Sequence, residues 1–134
     1  YILYLQPTSP LRTEKHIKQA IRMLSSSKAR SVISLSKLRE PIFKCFSIDQ
    51  NGLATSIFDE ALTNQSRQEL PQVYMPNGAI YAFSVEDFLQ KGMIPSNGSS
   101  PLIMDKMESL DIDSESDFEV LENYFVNQVF GDGQ

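Results

Sequence analysis

A strand, a helix and a second strand within the first stretch of about thirty-five residues constrain this chain most, because a helical crossover between strands of one sheet makes those strands parallel. Residues 1–5 are the apolar run Tyr1-Ile2-Leu3-Tyr4-Leu5, which has the composition of a buried strand. Thr13 caps a helix expected over residues 14–26, where Ile17, Ala20, Ile21 and Leu24 recur at spacings of three and four. Glu14 opens that helix and Lys28 and Arg30 follow it, each on the side the helix dipole favours. His16, the only histidine, reads as a solvated residue of the first turn with no function. Val32 and Ile33 belong to the next strand, residues 31–35, and the resulting βαβ unit assigns the chain to the α/β class with a right-handed crossover.

Open α/β sheets bind ligands beyond the carboxyl ends of their strands. The segment Leu5-Gln6-Pro7-Thr8-Ser9-Pro10-Leu11-Arg12 falls at such an end. Pro7 and Pro10 fix two backbone torsions and hold Thr8 and Ser9 between them, so polar groups are presented rigidly. Gln6, Thr8 and Ser9 are therefore candidate binding residues, with an ordinary proline-rich strand exit as the alternative.

Farther on, residues 41–48 are aromatic and β-branched, and Asp49-Gln50-Asn51-Gly52 leads to a second run at 53–57, so a hairpin is expected. On an extended strand Lys44 shares a face with Phe46, either to meet an anion or to stay solvated. Residues 59–76 are polar and poorly periodic, and within them residues 64–71 read as an exposed loop or short helical turn. There Arg67, with its planar fork, either holds a carboxylate or phosphate or pairs with nearby Glu69. Asn77-Gly78-Ala79-Ile80-Tyr81-Ala82-Phe83 opens with small residues and continues as a buried strand, with Asn77 at its mouth. Ser84 caps a short helix to about residue 89, with Asp87 completing a capping box. A loop follows at 91–101. A strand is expected at 101–107, and then Leu110-Asp111-Ile112-Asp113, whose two carboxylates project to one side if the segment is extended. Such a pair holds magnesium through oxygen, or else Asp113 or Ser114 merely caps the last helix.

Composition closes several other routes. With 134 residues and 41% hydrophobic content the chain suffices for one core, and a single domain over residues 1–134 is expected. A net charge of -5 opposes a nucleic-acid footprint, and no apolar run approaches a membrane span, so neither is an expected partner. Cys45, alone, offers no disulfide within the chain and suits a reducing, cytoplasmic compartment. The chain opens on Tyr1 in mid-strand, from which further sequence upstream is expected.

Taken together, Leu5-Gln6-Pro7-Thr8-Ser9-Pro10-Leu11-Arg12, Arg67-Gln68-Glu69-Leu70-Pro71-Gln72, Asn77-Gly78-Ala79-Ile80-Tyr81 and Asp111-Ile112-Asp113 resemble, in order and spacing, the motifs of the acylneuraminate cytidylyltransferases. The resemblance implies a Rossmann-like mixed sheet sandwiched by helices, of which this chain is the C-terminal portion. It implies that CTP and a nine-carbon acidic sugar, an N-acylneuraminate or related nonulosonate, give the CMP-sugar and pyrophosphate with magnesium. Asp111 and Asp113 would be the metal-site carboxylates and Arg67 would pair with the sugar carboxylate. Gln6, Thr8, Ser9, Asn77, Gln68 and Lys44 would complete the substrate site, while Arg12 would pin the loop. A homodimer is implied, with residues 84–101 as the candidate arm. The family's Gly- and Lys/Arg-bearing nucleotide loop is absent, so this portion alone is expected to be inactive. Met75 stands where some relatives carry arginine, and the arm lacks the paired aromatics of others. A cytidylyltransferase for the eight-carbon acid Kdo, or a non-catalytic sugar-binding or dimerisation module, is the alternative.

Overall fold

The computed structural model describes residues 1–26 and 29–130, the last two as backbone only. In chain order the elements are β1 (Ile2–Tyr4), α1 (Glu14–Ser26), β2 (Ser31–Lys37), β3 (Phe46–Ile48), β4 (Ala54–Ser56), β5 (Tyr74–Phe83), α2 (Val85–Lys91), β6 (Ser100–Met104) and α3 (Glu115–Phe130). They fall into two compact units, Tyr1–Ser36 with the chain from Met75 onward, and Lys37–Tyr74. No helix among the described residues is long and apolar enough to cross a membrane.

The larger unit is built on a mixed sheet of order β1-β5-β2-β6. β1 pairs antiparallel with β5, placing Tyr4 opposite Tyr81, and β2 pairs parallel with β6, placing Ser36 opposite Met104. The α/β class holds, but the first two strands are not neighbours, because β5 inserts between them. Ala20, Val32, Ala79, Ile80, Ala82, Leu102 and Met104 form the core, with Leu5, Ile17, Met23 and Leu24 packed against it.

Helix α1 has the expected bounds and lies on β6. Its buried stripe is narrower than the spacing implied, since Ile21 is half exposed while Met23 turns inward. His16 is not solvated. Its Nδ1 accepts the Thr13 backbone N–H at 3.1 Å, the reach-back of an N3 side chain to its cap, and its Nε2 meets Glu108 at 3.3 Å. Ser27 and Lys28 lie outside the described residues.

Ser84 caps α2 by accepting from the Asp87 N–H. The expected box does not close, because the Asp87 carboxylate pairs with Arg30 Nε at 3.0 Å, and the Ser84 N–H donates to the Arg30 carbonyl. Arg30 also meets Glu86 at 2.6 Å, so two carboxylates at the start of α2 tie it to the approach to β2. Gly92, at φ 64°, ends α2 in the left-handed conformation that glycine adopts without strain.

β6 stops at Met104, short of the expected residue 107, and residues 110–113 belong to no strand. At the start of α3, Ser114 is held by Asp117, which accepts both the Ser114 N–H at 2.8 Å and its hydroxyl at 2.7 Å.

In the smaller unit the expected hairpin forms as β3–β4, but Ile42–Lys44 is a 3-10 turn and not the start of a strand. The Lys44 N–H donates to the Pro41 carbonyl and the Cys45 N–H to Ile42, so the chain curls before it extends, and the shared face for Lys44 and Phe46 does not exist. Asp49 organises the hairpin turn by accepting from the N–H groups of Asn51 and Leu53, both at 2.9 Å. The polar stretch carries a second 3-10 turn at Glu60–Asn64, capped by Asp59.

Candidate functional site

The carboxyl ends of β1, β2 and β6 and the first half of β5 surround an open cleft of about 380 Å³. Gln6, Ser36, Asn77, Gly78, Ser109 and Asp111 line it, with Met75, Pro76 and Tyr81. Ligands in open α/β sheets sit in this position because strand ends present loops and free backbone groups there.

The turn after β1 is fixed from within. Arg12 Nη1 donates to the Gln6 carbonyl at 2.8 Å and to the Ala79 carbonyl at 2.9 Å, tying the turn to β5. Gly78 has φ +76°, and the Gln6 side-chain oxygen lies over it where a β-carbon would stand. Among the described residues the Gln6 carboxamide has no hydrogen-bond partner, so its donors and acceptor remain available to a ligand.

Asn77 is buried, and all four of its hydrogen-bonding positions are taken. Its Oδ1 accepts from Ser34 Oγ at 2.6 Å and from the Ala79 N–H at 3.2 Å, while Nδ2 donates to Ser109 Oγ at 2.8 Å and to Met104 Sδ at 3.5 Å. It shapes the mouth of the cleft by holding β2, β5 and the segment after β6 together. Ser34 and Ser36 escaped the sequence reading, although hydroxyls inside a buried strand such as β2 must find partners.

Asp111 is half buried and its Oδ1 is enclosed with no hydrogen-bond partner. The Ile112 N–H donates to the Thr8 carbonyl at 2.9 Å, which draws the Asp111 segment against the Thr8 turn. Asp113 is exposed and does not line the cleft. Thr8 and Ser9 also stand outside the lining, and the buried Ser9 hydroxyl lacks a partner. Burial, with Tyr4 and Asp111 nearby, pushes the Tyr81 phenol above its ordinary value and keeps it a neutral donor.

Arg67, Gln68 and Lys44 belong to the smaller unit. Lys44 Nζ donates to the Gln65 carbonyl. Arg67 does not pair with Glu69, whose carboxylate instead accepts the N–H and hydroxyl of Ser66, both at 2.9 Å, and is held below its usual range by them.

The larger unit is thus a mixed α/β sheet with a polar, acid-bearing cleft at its strand ends, the position in which open α/β sheets bind ligands. No family model matches the chain. Among curated proteins it is 33% identical over 114 residues to the N-acylneuraminate cytidylyltransferase of Streptococcus agalactiae serotype V, covering 85% of this chain and 27% of that protein. Over 117 residues it is 33% identical to the enzyme of the same name from Escherichia coli O18:K1:H7, covering 87% of this chain and 27% of the relative. The CMP-N,N'-diacetyllegionaminic acid synthase of Legionella pneumophila is 29% identical over 126 residues, 90% of this chain and 52% of its own. Over most of its length the chain is thus homologous to proteins named N-acylneuraminate cytidylyltransferase, and it spans about a quarter to a half of the length of these relatives.

Proposed function

We propose that this chain is part of an enzyme that activates a nine-carbon acidic sugar with CTP, giving the CMP-sugar and pyrophosphate. The observation that carries the reading is the cleft itself, which gathers Gln6, Asn77, Gly78, Tyr81 and Asp111 from three motifs far apart in sequence. The similarity to enzymes named for sialic and legionaminic acids supports the class of reaction.

Displacement at a phosphate needs little covalent help from the protein, so positioning and charge neutralisation carry the rate. Gln6 offers both a donor and an acceptor to sugar hydroxyls, and Tyr81 adds a neutral hydroxyl on the same cleft. Asn77, its amide engaged, acts by positioning. Asp111 fits a hard cation, because an enclosed carboxylate oxygen without a partner is costly unless a cation meets it. Magnesium bound at Asp111 would neutralise the phosphate charge, while Asp113, the other carboxylate of the motif, stands outside the cleft. The reading extends to a cytoplasmic homodimer joined through residues 84–101, where Leu89 and Met93 are exposed.

Pyrophosphate release by the intact protein, with CTP, magnesium and a panel of nine-carbon acidic sugars plus Kdo, tests this. Release with a nine-carbon sugar is expected. Sugar binding without release from any member of the panel would replace the enzyme with a binding module.

A further inference from the structure

The smaller unit contains a cleft of about 70 Å³ between residues 38–43 and 67–73, with Arg39 and Arg67 both in its lining. Its two walls are joined by backbone and side chain. The Leu38 N–H donates to the Val73 carbonyl at 3.1 Å, and Gln72 Nε2 donates to the Leu38 carbonyl at 3.1 Å. Pro41 and Pro71 stiffen the opposite walls.

The arginines of this chain divide into two groups. Arg12 and Arg22 donate to backbone carbonyls, and Arg30 pairs with Glu86 and Asp87. Arg39 and Arg67 have no hydrogen bond or ion pair among the described residues, and they are the two that line this cleft. Glu40 also lines it without pairing to either, and Glu69 is turned toward Ser66. Arg39 and Arg67 are both exposed and line one small space without a neutralising partner, and an oxyanion held there would accept their forked donors. The space is enough for one carboxylate or phosphate group.

We propose that Arg39 joins Arg67 in binding a single oxyanion of a substrate. Which substrate supplies it rests on the cytidylyltransferase reading: the carboxylate of the acidic sugar and a phosphate of CTP share the required chemistry.

The test is pyrophosphate release by the intact protein and its Arg39→Gln and Arg39→Lys forms, with CTP and N-acetylneuraminate varied in turn. Loss of a charge-assisted bond should raise one KM about tenfold or more while kcat stays nearly level, and lysine should recover part of the loss. A rise confined to the sugar assigns the carboxylate, and a rise confined to CTP assigns the phosphate. Both KM values unchanged would overturn the proposal. If the unmutated protein releases no pyrophosphate, the reaction reading fails by itself, and calorimetric binding of N-acetylneuraminate and of inorganic pyrophosphate to the unmutated and Arg39→Gln proteins decides the cleft. Weaker binding to Arg39→Gln then supports it, and equal affinities, or none, overturn it. Arg39 is exposed, so unchanged melting curves are expected in every case.

Discussion

The side-chain oxygen of Gln6 occupies the space above Gly78 that any other residue would fill with its own β-carbon. Two motifs far apart in sequence are thereby fitted to each other, one supplying the polar group and the other supplying no side chain at all. Gly78→Ala should cost about 1 to 2 kcal/mol of stability from its φ of +76°. Its larger effect should be on binding, because the Gln6 carboxamide is flexible and will swing away. A melting curve and a sugar KM measured together check this, and a displaced Gln6 appears as a raised KM.

Asn77→Ala is expected to destabilise the fold by about 2 to 4 kcal/mol. It strips a partner from Ser34, Ser109 and the Ala79 N–H at once, at a buried position. Denaturant unfolding should show a lower midpoint with an unchanged slope.

Asp111→Asn should unfold no more readily than the unmutated protein, since it removes the charge from an enclosed oxygen that has no protein partner. Magnesium-dependent turnover of the intact protein should nevertheless be lost. A clear fall in unfolding midpoint would mean that the carboxylate serves the fold.

Asp117 gives α3 an acid sensitivity. Hydrogen bonds from the Ser114 hydroxyl, then from the Asp113 and Ser114 N–H groups, hold its carboxyl below the ordinary value of 3.8. Because the native value is depressed, the contribution to stability is complete above that ordinary value and fades as pH falls through the lower one. Amide exchange at Asp113 and Ser114 should therefore gain opening on acidification beyond the ordinary slowing of exchange. Asp117→Asn should remove that pH dependence.

What could be read in advance was whatever neighbours in sequence decide. The span of α1, the Ser84 cap of α2 and the turn between β3 and β4 follow from apolar spacing, side-chain caps and Asp49 with Gly52, all satisfied within a few residues. The motifs carried the family resemblance for the same reason, since each is a short string in a fixed order. Local signals also misled where a nearby bond outweighed composition, as at Pro41 and Lys44, where a 3-10 turn replaced the first part of a strand.

Only the tertiary structure decided that β5 separates β1 from β2, that Asn77 turns its amide inward to Ser34, and that Arg12 reaches Ala79 across the sheet. It also placed His16 against Glu108 and left one oxygen of Asp111 enclosed without a partner. Those outcomes depend on partners that meet only when the sheet assembles. A buried polar group bonds to whichever complement the packing brings within reach, and no spacing along the chain states which one that is.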